Sequence, residues 1–266
     1  MTGDALFDVR GSRVVVTGAG SGLGLAIATC LAERGAIVTM AEVNRERLEA
    51  TCEELAGRGL DVTAVPTDVR EPDQVDELIE RVTTAGDLDV VFANAGISAG
   101  PGFSRAEGEI DALKPSDWDA VRAVNLDGVV ATLRAAAHHM KRQRSGKIVV
   151  TASTAGLRTD PMVGYAYVAT KAAVVNLMKQ AALELAPYGV TVNAIAPGPF
   201  RTNIGGDGGP SPDVEARWAE TVPLGRMANP RELYGLALLL ASPASSFMTG
   251  AVYPVDGGAL ARSHTA

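Results

Sequence analysis

One pattern governs what this chain can fold into: short β-branched runs recur along it, each separated from the next by a stretch of helical period. The first run, RVVVT at 13–17, precedes a helix predicted over 22–34, and further strands are predicted at 37–41, 62–65, 88–93, 147–152, 190–196 and 251–255. Strands joined through helices need right-handed crossovers, so the sheet they build is parallel and carries helices on both faces. Runs such as Val14-Val15-Val16 and Ile148-Val149-Val150 lack apolar/polar alternation, as expected of strands buried on both sides. With no linker between the strands, the expected architecture is α/β: one doubly wound domain over residues 1–266, with a seven-stranded, mostly parallel sheet.

Composition narrows the function classes. The 47% hydrophobic content is enough to bury such a sheet, and the 5% aromatic share predicts an aliphatic core. A net charge of −7 offers no basic stripe for nucleic acid; the cluster Lys141, Arg142, Arg144 and Lys147 reads as a solvated helix end followed by a loop. No apolar run approaches the ~18–20 residues of a membrane span, and the acidic N-terminal segment lacks the pattern of a signal peptide. Cys30 and Cys52 match neither a disulfide framework nor a zinc-ligand spacing, so a reducing cytoplasm and no metal are expected. What remains to explain is where the 29 glycines cluster.

The first cluster, Thr17-Gly18-Ala19-Gly20-Ser21-Gly22-Leu23-Gly24, lies between the first strand and the first helix. Glycine there permits a sharp turn and lets backbone N–H groups approach an anion at a helix N-terminus. The spacing is T-G-x-x-x-G-x-G rather than G-x-G-x-x-G, and no Gly-Lys-Ser/Thr follows, which excludes a P-loop. In this position the turn predicts a Rossmann-type dinucleotide site. Eighteen residues beyond Gly24, Glu42 ends the second predicted strand. A carboxylate there accepts from both ribose hydroxyls and repels a 2′-phosphate, so Glu42 favours NAD over NADP. Arg45 and Arg47 begin the next helix and read as solvated charges.

A second constellation lies downstream. Ser153 follows a predicted strand, and fourteen residues later comes Tyr167-Val-Ala-Thr-Lys171. On a helix, Tyr167 and Lys171 share a face, and an ammonium near a phenol lowers its pKa from ~10 toward the range where acid/base catalysis works at neutral pH. Tyr165 has Ala169 at i+4 and lacks such a partner.

Taken together these residues resemble the short-chain dehydrogenase/reductase family over nearly the whole chain. The matching marks are Thr17 to Gly24, Asp68-Val69, Asn94-Ala95-Gly96, Asn125, Ser153, Tyr167 with Lys171, Pro197-Gly198, Thr202 and Asp256-Gly257-Gly258. The interval from Ser153 to Tyr167 is one residue longer than the family's commonest value, which leaves Thr154 as a rival to Ser153. The resemblance implies a catalytic set of Asn125, Ser153, Tyr167 and Lys171. Tyr167 would exchange a proton with the substrate oxygen, Ser153 would hydrogen-bond that oxygen, Lys171 would lower the Tyr167 pKa and bind the nicotinamide ribose, and Asn125 would hold a water linking Lys171 to solvent. It also implies cofactor contacts at Gly18, Ser21, Gly22, Leu23, Gly24, Glu42, Asp68, Val69, Asn94, Ala95, Gly96, Tyr167, Lys171, Pro197, Gly198 and Thr202. Asp68 and Val69 would meet the adenine, Asn94 to Gly96 the adjoining ribose, and Thr202 the carboxamide.

The expected activity is hydride transfer between NAD(H) and a secondary alcohol or ketone. The main alternative is an NADPH-dependent 3-oxoacyl-[acyl-carrier-protein] reductase; those enzymes often carry Arg where Leu183 stands here. A non-catalytic NAD(P)-binding regulator would be expected to lose the Tyr or the Lys, and a Ser-His-Asp hydrolase finds no G-x-S-x-G elbow; His138 and His139 sit in a predicted helix. Residues 203–222 are expected to form a substrate lid, and Phe103, Arg158, Asp160 and Met162 to shape the pocket. The predicted helix over 167–186 is apolar around most of its circumference, and that over 121–140 is rich in small apolar residues. Both suit the family's usual homotetramer.

Overall fold

The structure is a computed structural model describing residues 3–202, 204 and 208–262. After a short helix α1 (Gly3–Leu6), strand β1 (Arg13–Thr17) lies in the middle of the sheet. The chain then runs through α2 (Gly22–Ala32), β2 (Ile37–Glu42), α3 (Arg45–Gly57), β3 (Val62–Pro66) and α4 (Pro72–Ala85) to β4 (Val90–Ala93). It continues through α5 (Pro115–Arg122), α6 (Gly128–Gln143), β5 (Gly146–Thr151), α7 (Tyr165–Leu185), β6 (Val190–Pro197), α8 (Pro212–Glu220), α9 (Tyr234–Ala241) and β7 (Val252–Val255). The strand order is β3-β2-β1-β4-β5-β6-β7 and every pairing is parallel. This is the doubly wound α/β fold expected from the rhythm.

Alternate strand residues feed two cores. Val15, Val91, Ile148, Val150 and Val192 pack under Leu78 and Ile79 of α4, Leu133 and Ala136 of α6, and Val174 and Met178 of α7. Val14, Val16, Val38, Met40, Phe92 and Ile195 face the other way, onto Ile27 and Leu31 of α2, Leu48 and Leu55 of α3, and Leu240 of α9. Burial of both faces explains the unbroken apolar runs.

Two predicted boundaries shift in an informative way. The helix expected over 121–140 is interrupted: between α5 and α6 the residues Ala123–Asp127 make one π-helical turn, with Asn125 fully buried in it. Such turns widen a helix by one residue and leave no trace in hydrophobic period. The helix expected over 167–186 begins earlier, at Tyr165, so Tyr167 lies within its first turn. Of the basic cluster, Lys141 pairs with Glu184, and Lys147 belongs to β5, its ammonium donating to Ser245 Oγ at 3.3 Å. Among the described residues, no helix is long and apolar enough to cross a membrane.

The strand order reverses between β1 and β4, and at their carboxyl ends the connections leave on opposite sides, opening the crevice where such folds bind ligands. Asn94 ties this point together. Its Nδ2 donates to Thr17 O at 3.0 Å, its Oδ1 accepts from Thr151 Oγ1 at 3.0 Å, and its backbone N–H donates to Thr17 Oγ1 at 3.0 Å. One side chain thus joins the ends of β1, β4 and β5. Asn94→Ala leaves Thr17 O and the Thr151 hydroxyl without these partners, and is expected to cost about 2–3 kcal/mol, read as a lower urea midpoint with an unchanged m-value.

Candidate functional site

A cleft of about 880 Å³ opens over the carboxyl ends of the strands. At one wall lies the glycine turn. Gly18 (φ +67) and Gly22 (φ +56) hold left-handed conformations that other residues rarely adopt. A Cβ on Gly18 would stand 2.8 Å from Ala95 Cα, and one on Gly24 would stand 2.1 Å from Gly18 O and 2.5 Å from Asn94 Nδ2. The turn is therefore folded tightly onto the β4 exit, while α2 starts at Gly22 with no side-chain cap on its first amides. Glu42, at the tip of β2, holds its Oε1 against the Val43 and Asn44 amides at 2.9 and 3.2 Å. Gly20, outside the motif read from the sequence, is where that side chain lies: a Cβ on it would stand 2.8 Å from Glu42 Cγ.

These features fit a dinucleotide: a bare helix N-terminus for the diphosphate, a carboxylate at the β2 tip for a ribose, and a tight backbone floor between them. Every cofactor position expected from the sequence lines the cleft, from Gly18, Ser21, Gly22, Leu23 and Gly24 through Glu42, Asp68, Val69, Asn94, Ala95 and Gly96 to Tyr167, Lys171, Pro197, Gly198 and Thr202. Asp68 is held by Arg70, whose Nε reaches both carboxylate oxygens at 2.9 Å, and this lowers the Asp68 pKa. Arg70 and Arg47 also line the cleft beside Glu42, so Arg47 is a cleft residue and not only a charge on the outer face of α3. Residues 203 and 205–207 of the expected lid lie outside the described residues; from its remainder, Ile204, Val214 and Trp218 line the cleft.

The opposite wall carries the hydroxyls and the ammonium. Ser153 follows β5 and its Oγ accepts from the Ala155 amide at 3.1 Å, which orients the hydroxyl as the cap of a short 3₁₀ turn. The Tyr167 phenol faces Ser153 across the cleft wall, with Thr154 beside them in the lining. Lys171, one turn further along α7, is 2% exposed, and its Nζ donates to Thr151 O at 2.7 Å while lying 5.6 Å from the Tyr167 ring centroid.

Here the electrostatics depart from the sequence argument. Burial pushes the Tyr167 phenol above its ordinary pKa, and the opposing pull comes from the Ser153 hydrogen bond. The Lys171 ammonium is itself desolvated and directed at the Thr151 carbonyl, and burial brings its own pKa down to about 8. Asn125 is the one expected catalytic residue outside the cleft lining. Its Oδ1 accepts from Ile97 N at 2.8 Å and its Nδ2 donates to Ile97 O at 2.9 Å, so it clamps the segment leaving β4. Thr17 and Thr151 carry structural roles that the sequence pattern does not show. Thr17 Oγ1 accepts from the Asn94 and Ala95 amides at 3.0 and 3.1 Å, and the Thr151 carbonyl holds Lys171. Only the adjacency of Thr17 to the glycine turn hinted at its part.

The cleft joins a dinucleotide-type floor to a hydroxyl, a phenol and an ammonium, the apparatus of an oxidoreductase using a diffusible cofactor. A family model described as enoyl-(acyl carrier protein) reductase matches residues 18–259. The chain is 35% identical to a 3-oxoacyl-[acyl-carrier-protein] reductase FabG of Thermotoga maritima, over 94% of this chain and 98% of that protein. It is 37% identical to a cyclohexanol dehydrogenase of a Rhodococcus species, over 94% of this chain and 96% of that one. A solved short-chain type dehydrogenase/reductase from Mycobacterium marinum superposes with a TM-score of 0.88 at 37% identity, covering 97% of this chain and 98% of the other. The chain belongs to the short-chain dehydrogenase/reductase family and is an oxidoreductase of NAD(P)-binding type. Two further solved structures similar to it hold NAD and NADP respectively.

The Lys171 environment has a measurable consequence. In the unfolded chain the lysine titrates near 10.4, while in the fold it does so at about 8. Below pH 8 both states are protonated and the fold bears the full cost of the buried charge. Between these values the unfolded state binds the extra proton, so stability rises with pH. Relative to Lys171→Met, the wild-type chain is expected to gain up to about 3 kcal/mol between pH 7 and pH 10, measured as the difference in unfolding free energy between the two proteins.

Proposed function

We propose that this protein transfers hydride between NAD(H) and a secondary alcohol or ketone, with Tyr167 as the general acid/base. The observation that carries the reading is the meeting of the Tyr167 phenol, the Ser153 hydroxyl and the Lys171 ammonium on one wall of a cleft whose other wall is the glycine turn. When bound, the nicotinamide supplies the hydride acceptor or donor. Ser153 donates a hydrogen bond to the substrate oxygen and Tyr167 passes it a proton or takes one away. The raised phenol pKa keeps Tyr167 protonated at rest, the state needed to protonate a ketone oxygen. Lys171 holds positive charge behind the phenol and offers its remaining N–H groups to the ribose side of the cleft. Asn125 acts through Ile97, keeping the floor beside Lys171 in place.

Glu42 supports NAD, since a 2′-phosphate would stand against its carboxylate. Arg47 and Arg70 are the groups an NADP-binding site would draw on, and Arg70 is engaged by Asp68. The 3-oxoacyl-[acyl-carrier-protein] reductase reading is favoured by the similarity to the Thermotoga protein, and weighed down by Glu42 and by Leu183. A non-catalytic regulator would have no need of the intact Ser153, Tyr167 and Lys171 set. We read residues 1–266 as one catalytic domain with 203–222 covering the substrate, acting in the cytoplasm, where the buried thiols of Cys30 and Cys52 stay reduced. We also read it as a homotetramer, because α7 leaves Ala169, Ala172 and the 75% exposed Leu183 on its outer face.

The deciding experiment compares NAD⁺ and NADP⁺ over a panel of secondary alcohols, with NADH and NADPH over ketones and an acetoacetyl carrier-protein thioester. Turnover of alcohols with NAD⁺ is expected, with Tyr167→Phe lowering kcat by at least about a hundredfold. Undiminished activity of Tyr167→Phe removes Tyr167 from the chemistry. Exclusive activity on the thioester with NADPH establishes the second reading instead. In thermal-shift measurements NAD⁺ is expected to raise Tm more than NADP⁺ at equal concentration. The reverse order discards the Glu42 argument.

A further inference from the structure

We infer that Arg158 makes this cleft select substrates carrying a carboxylate, an inference that rests on the oxidoreductase reading above and adds the substrate's charge class. The cleft divides at Ser153 and Tyr167. Its cofactor half holds Arg47 and Arg70 with Glu42 and Asp68, while the substrate half is walled by apolar groups such as Ile97, Met162, Val163, Phe200 and Trp218. Arg158 is the guanidinium of that second half, in the segment joining the Ser153 turn to α7.

Its mounting is that of a fixed donor fork. The backbone N–H of Arg158 donates to Thr154 O at 3.1 Å, which ties it to the turn carrying Ser153. Nη1 donates to the Ala259 carbonyl at 2.5 Å, bracing the side chain against the C-terminal 3₁₀ turn. Among the described residues no ion pair joins Arg158 to a carboxylate, whereas Arg70, Arg201 and Arg226 each hold one. Asp160, two residues away in the same lining, turns its Oδ1 to the Met162 amide at 2.9 Å instead. A guanidinium has five N–H donors in a planar fork matched to a carboxylate, and the charge-assisted bonds it makes are about twice as strong as neutral ones. Half-buried among apolar walls and held at one nitrogen by a carbonyl, Arg158 presents its remaining donors to whatever occupies the substrate half. A carboxylate completes this arrangement; a neutral group of the same shape leaves charged donors facing it unpaired.

The test uses ketones that differ only in charge. Oxo acids with the ketone two to five carbons from the carboxylate are compared with their methyl esters, in the wild-type protein and in Arg158→Gln and Arg158→Lys, with Tm recorded for each. The wild type is expected to favour the best acid over its ester at least about tenfold in kcat/KM. Arg158→Gln is expected to remove that preference, raising KM for the acid at least about tenfold more than KM for the ester, and Arg158→Lys to restore part of it. If the wild type takes ester and acid alike, or Arg158→Gln raises KM for both equally, Arg158 serves only to brace Ala259 and the inference falls while the oxidoreductase reading stands. If no acid or ester is turned over while other secondary alcohols or ketones are, the inference falls and the oxidoreductase reading stands; if none of these compounds is turned over with either cofactor, the underlying reading falls with it. Should Arg158→Gln fail to fold, the wild-type acid-to-ester ratio and the lysine variant decide.

Discussion

The structure depends on how the crevice is held open at the place where the strand order reverses. Strands β1 and β4 are neighbours, yet the chain leaves them in opposite directions, and their end groups cannot all find partners in the ladder. Thr17, Asn94 and Thr151 supply the missing partners from three adjacent strands. That exchange lets the glycine turn pack against Ala95, and places the Thr151 carbonyl where it can hold a buried ammonium. The cofactor floor and the acid/base wall are thus two sides of one hydrogen-bonded junction.

The buried lysine is the costliest element of that junction. A charge 2% exposed and held by the Thr151 carbonyl is destabilising for the fold on its own. Retaining it makes sense where positive potential behind a phenol has a use, and so the strain in this part of the molecule points to function rather than to packing. Burial acts on both groups in the direction of neutrality, bringing the lysine down and the tyrosine up.

Much of this could be read from the sequence, for identifiable reasons. The parallel sheet was legible because both of its faces are buried, which removes alternation from the strands, and the cofactor floor because only glycine tolerates the backbone of Gly18. Tyr167 and Lys171 were legible because helical spacing fixes their face. Asn125 was named, but its clamp on Ile97 was not foreseen, since it depends on a π turn that hydrophobic period does not record. Arg47 read as a solvated charge because a sequence gives the start of a helix and not the direction of its first side chains. Gly20 went unassigned for the same kind of reason: its constraint comes from the Glu42 side chain, which is distant in sequence and adjacent in space.

The π turn at Ala123–Asp127 also has a bearing on how this chain can tolerate changes in length. An α-helix advances about 100° per residue, so a residue added within it would ordinarily turn everything downstream by about that angle. The wider turn absorbs the extra residue, and Val129, Leu133 and Ala136 of α6 keep facing the core. Deleting one residue there would let α5 and α6 fuse into a regular α-helix with that buried face retained. What would be lost is the placing of Asn125 against both backbone groups of Ile97. The extra residue therefore serves the site and not the packing of the helix, and a one-residue deletion here separates the two.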